Sequence, residues 1–145
     1  MGQVGLVIVT HGGSGECLLT AAAGIVGPVA SATAVSVSQL EEFGEVVRRV
    51  GRACAEVDAG GGILILADVH GSSPFRACLA MVDGTRPVEI VSGVNLPMLI
   101  KLATCDRLGQ RPAEVAELVK EVGKRSIRLG SELTGKPALP SENHR

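Results

Sequence analysis

The sequence predicts an α/β fold: an open, mostly parallel sheet in the order 2-1-3-4 with helices on both faces. Apolar runs of strand length alternate with stretches of helical period along the chain. The runs at residues 4–9 and 63–67 are continuously apolar, as strands covered on both faces are. Glycine or proline marks most junctions between elements, at Gly12 and Gly13, at Gly60 to Gly62, and at Pro74, Pro97 and Pro112.

Strand 1, residues 4–9, is rich in β-branched residues and runs into Thr10 and His11. Residues 15–26 have helical spacing, with Leu18, Leu19, Ala22, Ile25 and Val26 on one side. A short second strand is expected at residues 33–37. Ser38 and Glu41 have the spacing of a capping box, followed by Leu40, Phe43, Val47, Val50, Cys54 and Val57 at helical intervals. Gly60, Gly61 and Gly62 end that helix before the third strand, residues 63–67. Pro74 suits the first turn of a helix running to about residue 82, and residues 88–91 form the fourth strand. Helices follow from about Pro97 and about Pro112. Past Gly123, Ile127 and Leu129 adopt period two, a weakly strand-like pattern. Residues 1–133 read as a single domain. Residues 134–145, with two prolines, read as a flexible tail in which His144 has no role.

Composition narrows the functional classes. The chain of 145 residues is 46% hydrophobic, enough for a real core. Phe43 and Phe75 are its only aromatic residues apart from histidines, so there is no platform for stacking nucleobases. A net charge of −1 with no basic block argues against nucleic acid as partner. Cys17, Cys54, Cys78 and Cys105 form no CxxC pair, so free thiols in a reducing cytoplasm are expected. No basic segment precedes the first apolar run, which is too short to cross a bilayer. A soluble, cytoplasmic protein without cofactor or metal is the expectation.

In such a sheet the site lies beyond the carboxyl ends of the strands, where strand order reverses. The loops that meet there read "THGGSGE" and "DVHGSSPF". His11 ends the first strand and Asp68 the third. A carboxylate bonded to one ring N–H fixes the tautomer and turns the other nitrogen's lone pair outward, as a nucleophilic imidazole requires. Gly12, Gly13, Ser14 and Gly15 bring bare amides and a helix N-terminus to the same point, a cradle for an anion. Gly71, Ser72 and Ser73 form a second candidate cradle. Thr10, His70 and Asn95 are further candidates, Asn95 being equally suited to capping the helix near Pro97. The constellation fits a histidine that takes up and passes on a phosphoryl group, its oxygens held by fixed amides. Metal binding through His11 and His70, in the manner of small tetrapyrrole chelatases, would leave that anion cradle unused.

The strings "VTHGGSGECLL", "LILADVHGSSPFRAC" and "VSGVNLPMLIKL" together resemble the enzyme IIA domain of the mannose family of the bacterial phosphotransferase system, in matching order over about residues 1–130. The resemblance implies that His11 is the phosphorylated residue, that Asp68 bonds its other ring nitrogen, and that Ser73 helps hold the phosphate. It implies the phosphocarrier protein HPr as donor and a IIB protein as acceptor, with contact to membranes only through a permease complex. It also implies a homodimer that exchanges a C-terminal antiparallel strand, which the alternation of Ile127 and Leu129 suits. The family's sugar transporters often carry Trp where His70 stands here and a fused IIB domain, so a separate IIB partner is expected. A regulatory module read by a protein partner, or the phosphoryl-relay subunit of a dihydroxyacetone kinase, are the alternatives.

Overall fold

The computed structural model describes residues 2–137 and 139. Its strands are β1 (Gly5–His11), β2 (Ala32–Val37), β3 (Ile63–Ala67) and β4 (Val88–Ser92). Its helices are α1 (Ser14–Val26), α2 (Phe43–Val57), α3 (Ser73–Leu79), α4 (Leu96–Thr104), α5 (Pro112–Arg125) and α6 (Gly130–Thr134). The four strands form one parallel sheet in the order β2-β1-β3-β4, as the alternation of elements predicts.

Both faces of β1 are covered, which explains its unbroken apolar run. Val7 and Val9 point to one side and pack with Val35, Val37, Ile63 and Ile65 against α2 and α3. Leu6 and Ile8 point to the other side and pack with Leu64 and Leu66 against α1, α4 and α5, where Leu99, Leu102, Val115 and Val119 close the layer. Each such side chain, fully buried, contributes roughly 1.5–3 kcal/mol, so this sandwich holds the strand ends in fixed relation. The register pairs Val9 with Ala67. His11 therefore leaves β1 beside the point where Asp68 leaves β3.

Arg107 is buried at the opposite end of the sheet, only 2% exposed. Its guanidinium donates to the carbonyls of Val4, Ala30 and Leu102, joining the start of β1 to the segments before β2 and after α4. Burial lowers its pKa. The four cysteines are free, and burial pushes the Cys54 thiol up to about 11 and the Cys78 thiol up to about 12.

The structure departs from expectation in two helices. Ser38 and Glu41 do close a turn, in which Glu41 Oε1 accepts from the Ser38 N–H at 3.0 Å. The helix begins later, at Phe43, because Glu42 is extended. Leu40 is thereby 95% exposed, and the buried stripe of α2 is Val46, Val50, Ala53, Cys54 and Val57. Helix α3 is short, ending at Leu79 before the expected residue 82. Among the described residues no strand forms at Ile127 and Leu129: the segment leads into α6, and both side chains are exposed. Within the described residues of the one chain these two side chains have no ladder partner. Of the expected tail, Thr134 ends α6 and Gly135 caps it in the left-handed region, while His144 lies outside the described residues.

Candidate functional site

The chain turns sharply after β1, and Gly12 makes this practicable with φ +58°, a region that disfavours residues bearing a Cβ. Its N–H donates to the Val37 carbonyl at 2.9 Å, fastening the turn to β2. Gly15 is required for a different reason. A Cβ there would sit 3.0 Å from Ile8 Cγ2 and 3.1 Å from Thr10 Oγ1, so α1 begins directly on the sheet. Thr10 is fully buried, and its hydroxyl accepts from the Gly15 N–H at 2.9 Å and donates to the Gly12 carbonyl at 3.2 Å. Ser14 opens α1 and its hydroxyl donates back to the His11 carbonyl at 3.2 Å. The amides of Gly13 and Ser14 have no acceptor among the described residues. They lie at the positive end of a 13-residue helix.

His11 and Asp68 meet as their strand positions predict. Asp68 Oδ2 lies 2.9 Å from His11 Nδ1 and also accepts the His11 backbone N–H at 2.8 Å. Asp68 Oδ1 accepts from the Val69 N–H at 2.9 Å. Burial alone would raise the Asp68 pKa, but these bonds from His11 and Val69 outweigh it and hold the carboxyl below its usual value. An ionised carboxylate only accepts, so the proton of a neutral His11 ring sits on Nδ1 and the lone pair on Nε2. The loop after β4 steadies the arrangement from behind, the Gly93 N–H donating to the Asp68 carbonyl at 3.2 Å.

Beside His11 lies a cleft of about 240 Å³ walled by Val37, Ser38, Gln39, Glu41, Phe43, Val46, Ser73 and Pro74. Ser73 Oγ accepts from the Arg76 guanidinium at 3.2 Å, which leaves its proton to donate. The Glu41 carboxylate is held below its usual pKa first by the Ser38 N–H and then by Arg49, whose guanidinium donates to it at 2.7 and 2.9 Å. This acidic wall and Arg76 lie outside the residues that the sequence singles out for the site. The Glu41–Arg49 pair spans eight positions across a turn of irregular length, whereas Arg76 lies three residues after Ser73 on a helix and was open to prediction.

The remaining candidates do not line this cleft. Ser72 caps α3, its hydroxyl donating to the Val69 carbonyl at 2.9 Å and accepting from the Phe75 N–H at 3.3 Å. Gly71 makes the turn before it, with φ +78°. His70 is exposed with its ring against Phe75, centroids 4.9 Å apart. Asn95 caps α4, accepting from the Met98 N–H at 3.3 Å and donating to the Gly123 carbonyl at 3.4 Å. It lines a second cleft with Ser92, Met98, Lys120 and Lys124, away from His11. Among the described residues, no three His, Cys, Asp or Glu side chains are grouped to hold a metal ion. Nor is any helix there long and apolar enough to cross a membrane.

A parallel sheet with a histidine and an aspartate joined at its reversal point can be set against known proteins. The EIIA-man family, described as "PTS system fructose IIA component", matches residues 5–122. The chain belongs to this family. Residues 5–122 thus form a mannose-type IIA domain of the phosphotransferase system. The "PTS system mannose-specific EIIAB component" of Escherichia coli (strain K12) is 27% identical over 125 residues, covering 86% of this chain and 39% of that protein. This IIA chain thus spans well under half of that relative. The mannose/sorbose-specific IIA subunit from Enterococcus faecalis superposes with a TM-score of 0.79 at 25% identity, over 95% of this chain and 99% of that one. An EIIA component from Streptococcus agalactiae gives a TM-score of 0.80 at 21% identity over 89% and 98%, a likeness of fold.

Proposed function

We propose that this IIA component carries a phosphoryl group on His11, accepting it from phosphorylated HPr and passing it to a IIB partner of a mannose-type system. The observation that supports this most directly is the 2.9 Å contact between Asp68 Oδ2 and His11 Nδ1, which leaves Nε2 as the nucleophile. In the first transfer the Nε2 lone pair attacks phosphorus in line. The P–N bond to the donor histidine breaks, and its electron pair returns to the donor ring. The positive charge that His11 acquires while keeping its Nδ1 proton is balanced by Asp68. The amides of Gly13 and Ser14 and the hydroxyl of Ser73 bind the phosphoryl oxygens, with Gly12 and Gly71 allowing backbone and anion to approach closely. The second transfer reverses these steps onto the acceptor. Exposed Ile127, Leu129 and Leu133 suit a homodimer joined through the C-terminal segment.

The test is incubation with phosphorylated HPr, which should place an acid-labile, base-stable phosphate on the wild-type chain and none on His11→Ala. Equal labelling of the two proteins would overturn the assignment.

A further inference from the structure

Thr10 and Arg107 are the buried polar side chains of the described core, and Thr10 immediately precedes His11. Arg107 joins three carbonyls at the far end of the sheet. Thr10 closes no distant contact: both of its hydrogen bonds stay within the five residues that follow it.

We infer that Thr10 is a positioning residue for phosphoryl transfer, its hydroxyl setting the β1–α1 turn so that the Gly13 and Ser14 amides remain open to the anion at His11. The inference rests on the phosphocarrier reading of His11. Four amides follow the histidine in this turn, and each has a definite fate. That of Gly12 is bonded to the Val37 carbonyl and that of Gly15 to Thr10 Oγ1, while Gly13 and Ser14 have no acceptor among the described residues. Gly15 is buried, so without the hydroxyl its N–H would have no acceptor and no water, a cost that drives the turn to rearrange. The same hydroxyl donates to the Gly12 carbonyl and so holds the turn at both ends. Close packing of Gly15 on Thr10, where a Cβ would meet Oγ1 at 3.1 Å, leaves little room for α1 to slide instead. Thr10 is thus tied to the geometry of donors it does not itself supply.

The substitution Thr10→Val keeps the shape and removes both hydrogen bonds; Thr10→Ser keeps the hydroxyl. With phosphorylated HPr as donor, Thr10→Val should accept phosphate about 10- to 100-fold more slowly than wild type. The midpoint of the pH profile should stay as in wild type, because the His11–Asp68 pair is untouched. Thr10→Ser should restore the rate to within about threefold, a factor too small for a lost donor. A folded Thr10→Val protein that transfers at the wild-type rate overturns the inference, as does a loss of rate that Thr10→Ser does not repair. A wild-type measurement reads the same point should Thr10→Val fail to fold. On phosphorylation, the amide proton resonances of Gly13 and Ser14 should move strongly while that of Gly15 moves little. The reverse pattern sinks the inference. Failure of wild type to take phosphate on His11 is a separate result: it overturns the phosphocarrier reading and this role with it.

Discussion

Asp68 grips His11 twice through a single oxygen: Oδ2 accepts the His11 backbone N–H at 2.8 Å and lies 2.9 Å from ring Nδ1. The backbone bond fixes where the strand end lies, and the ring contact fixes which way the imidazole faces. An asparagine at this position keeps the shape but loses the charge, and its amide can present an N–H to Nδ1. That favours the tautomer with the proton on Nε2, where it blocks attack. Asp68→Asn should therefore accept phosphate from phosphorylated HPr at least about 100-fold more slowly. Rapid-quench measurement of labelled protein checks this, and a loss below about fivefold would contradict the orienting role.

The same contacts make stability depend on pH. The Asp68 carboxyl is held below its ordinary value in the folded protein, so its stabilising contribution is full above the unfolded carboxylate pKa of about 3.9. It is lost as pH falls through the lower folded value. Wild type should be more stable than Asp68→Asn near neutrality, and the gap should close below about pH 4. Urea denaturation of both proteins across that range measures it. A gap that widens on acidification would reverse the assigned sign.

Which parts of this arrangement the sequence discloses follows from how local their causes are. Strands β1 and β3 are legible because burial on both faces demands unbroken apolar runs, and His11 and Asp68 follow because each ends one of those neighbouring strands. Asn95 is different. Its residue type and its place before Pro97 suit both a cap and a site, and the sequence does not show that its oxygen takes the Met98 N–H while its amide reaches Gly123 on α5. The Glu41–Arg49 wall depends on a turn that delays α2 to Phe43, a displacement that helical periodicity alone does not register. Ile127 and Leu129 show the complementary limit: a strand needs a neighbouring strand, and alternation over two residues does not say which one.

Arg107 supports a prediction about stability. Replacing it with Met fills comparable space but leaves the Val4, Ala30 and Leu102 carbonyls without their donor. Val4 and Leu102 are buried while Ala30 is exposed; with a buried unsatisfied group costing about 1–3 kcal/mol, Arg107→Met should lose about 2 kcal/mol or more. For a chain of this size that corresponds to a fall in Tm of roughly 4–8 °C. Calorimetry decides the matter, and a variant as stable as wild type would mean that the three carbonyls find other partners.

Asn95 yields the contrasting case, a change in stability without a change in chemistry. Its Oδ1 accepts from the Met98 N–H at the start of α4, and its Nδ2 donates to the Gly123 carbonyl of α5. Neither atom faces the cleft beside His11, whose walls come from β2, α2 and the start of α3. Asn95→Ala removes a helix cap, at a cost of about 1 kcal/mol, and releases a contact between two helices. The expected result is a lower urea midpoint with an unchanged slope, together with wild-type phosphorylation of His11 measured well below the unfolding transition. Asn95→Asp should recover part of the cap, because the carboxylate still accepts from Met98, but not the bond to Gly123. A rate of phosphate uptake that falls in Asn95→Ala without a matching loss of folded protein would return Asn95 to the site and show that the second cleft communicates with His11.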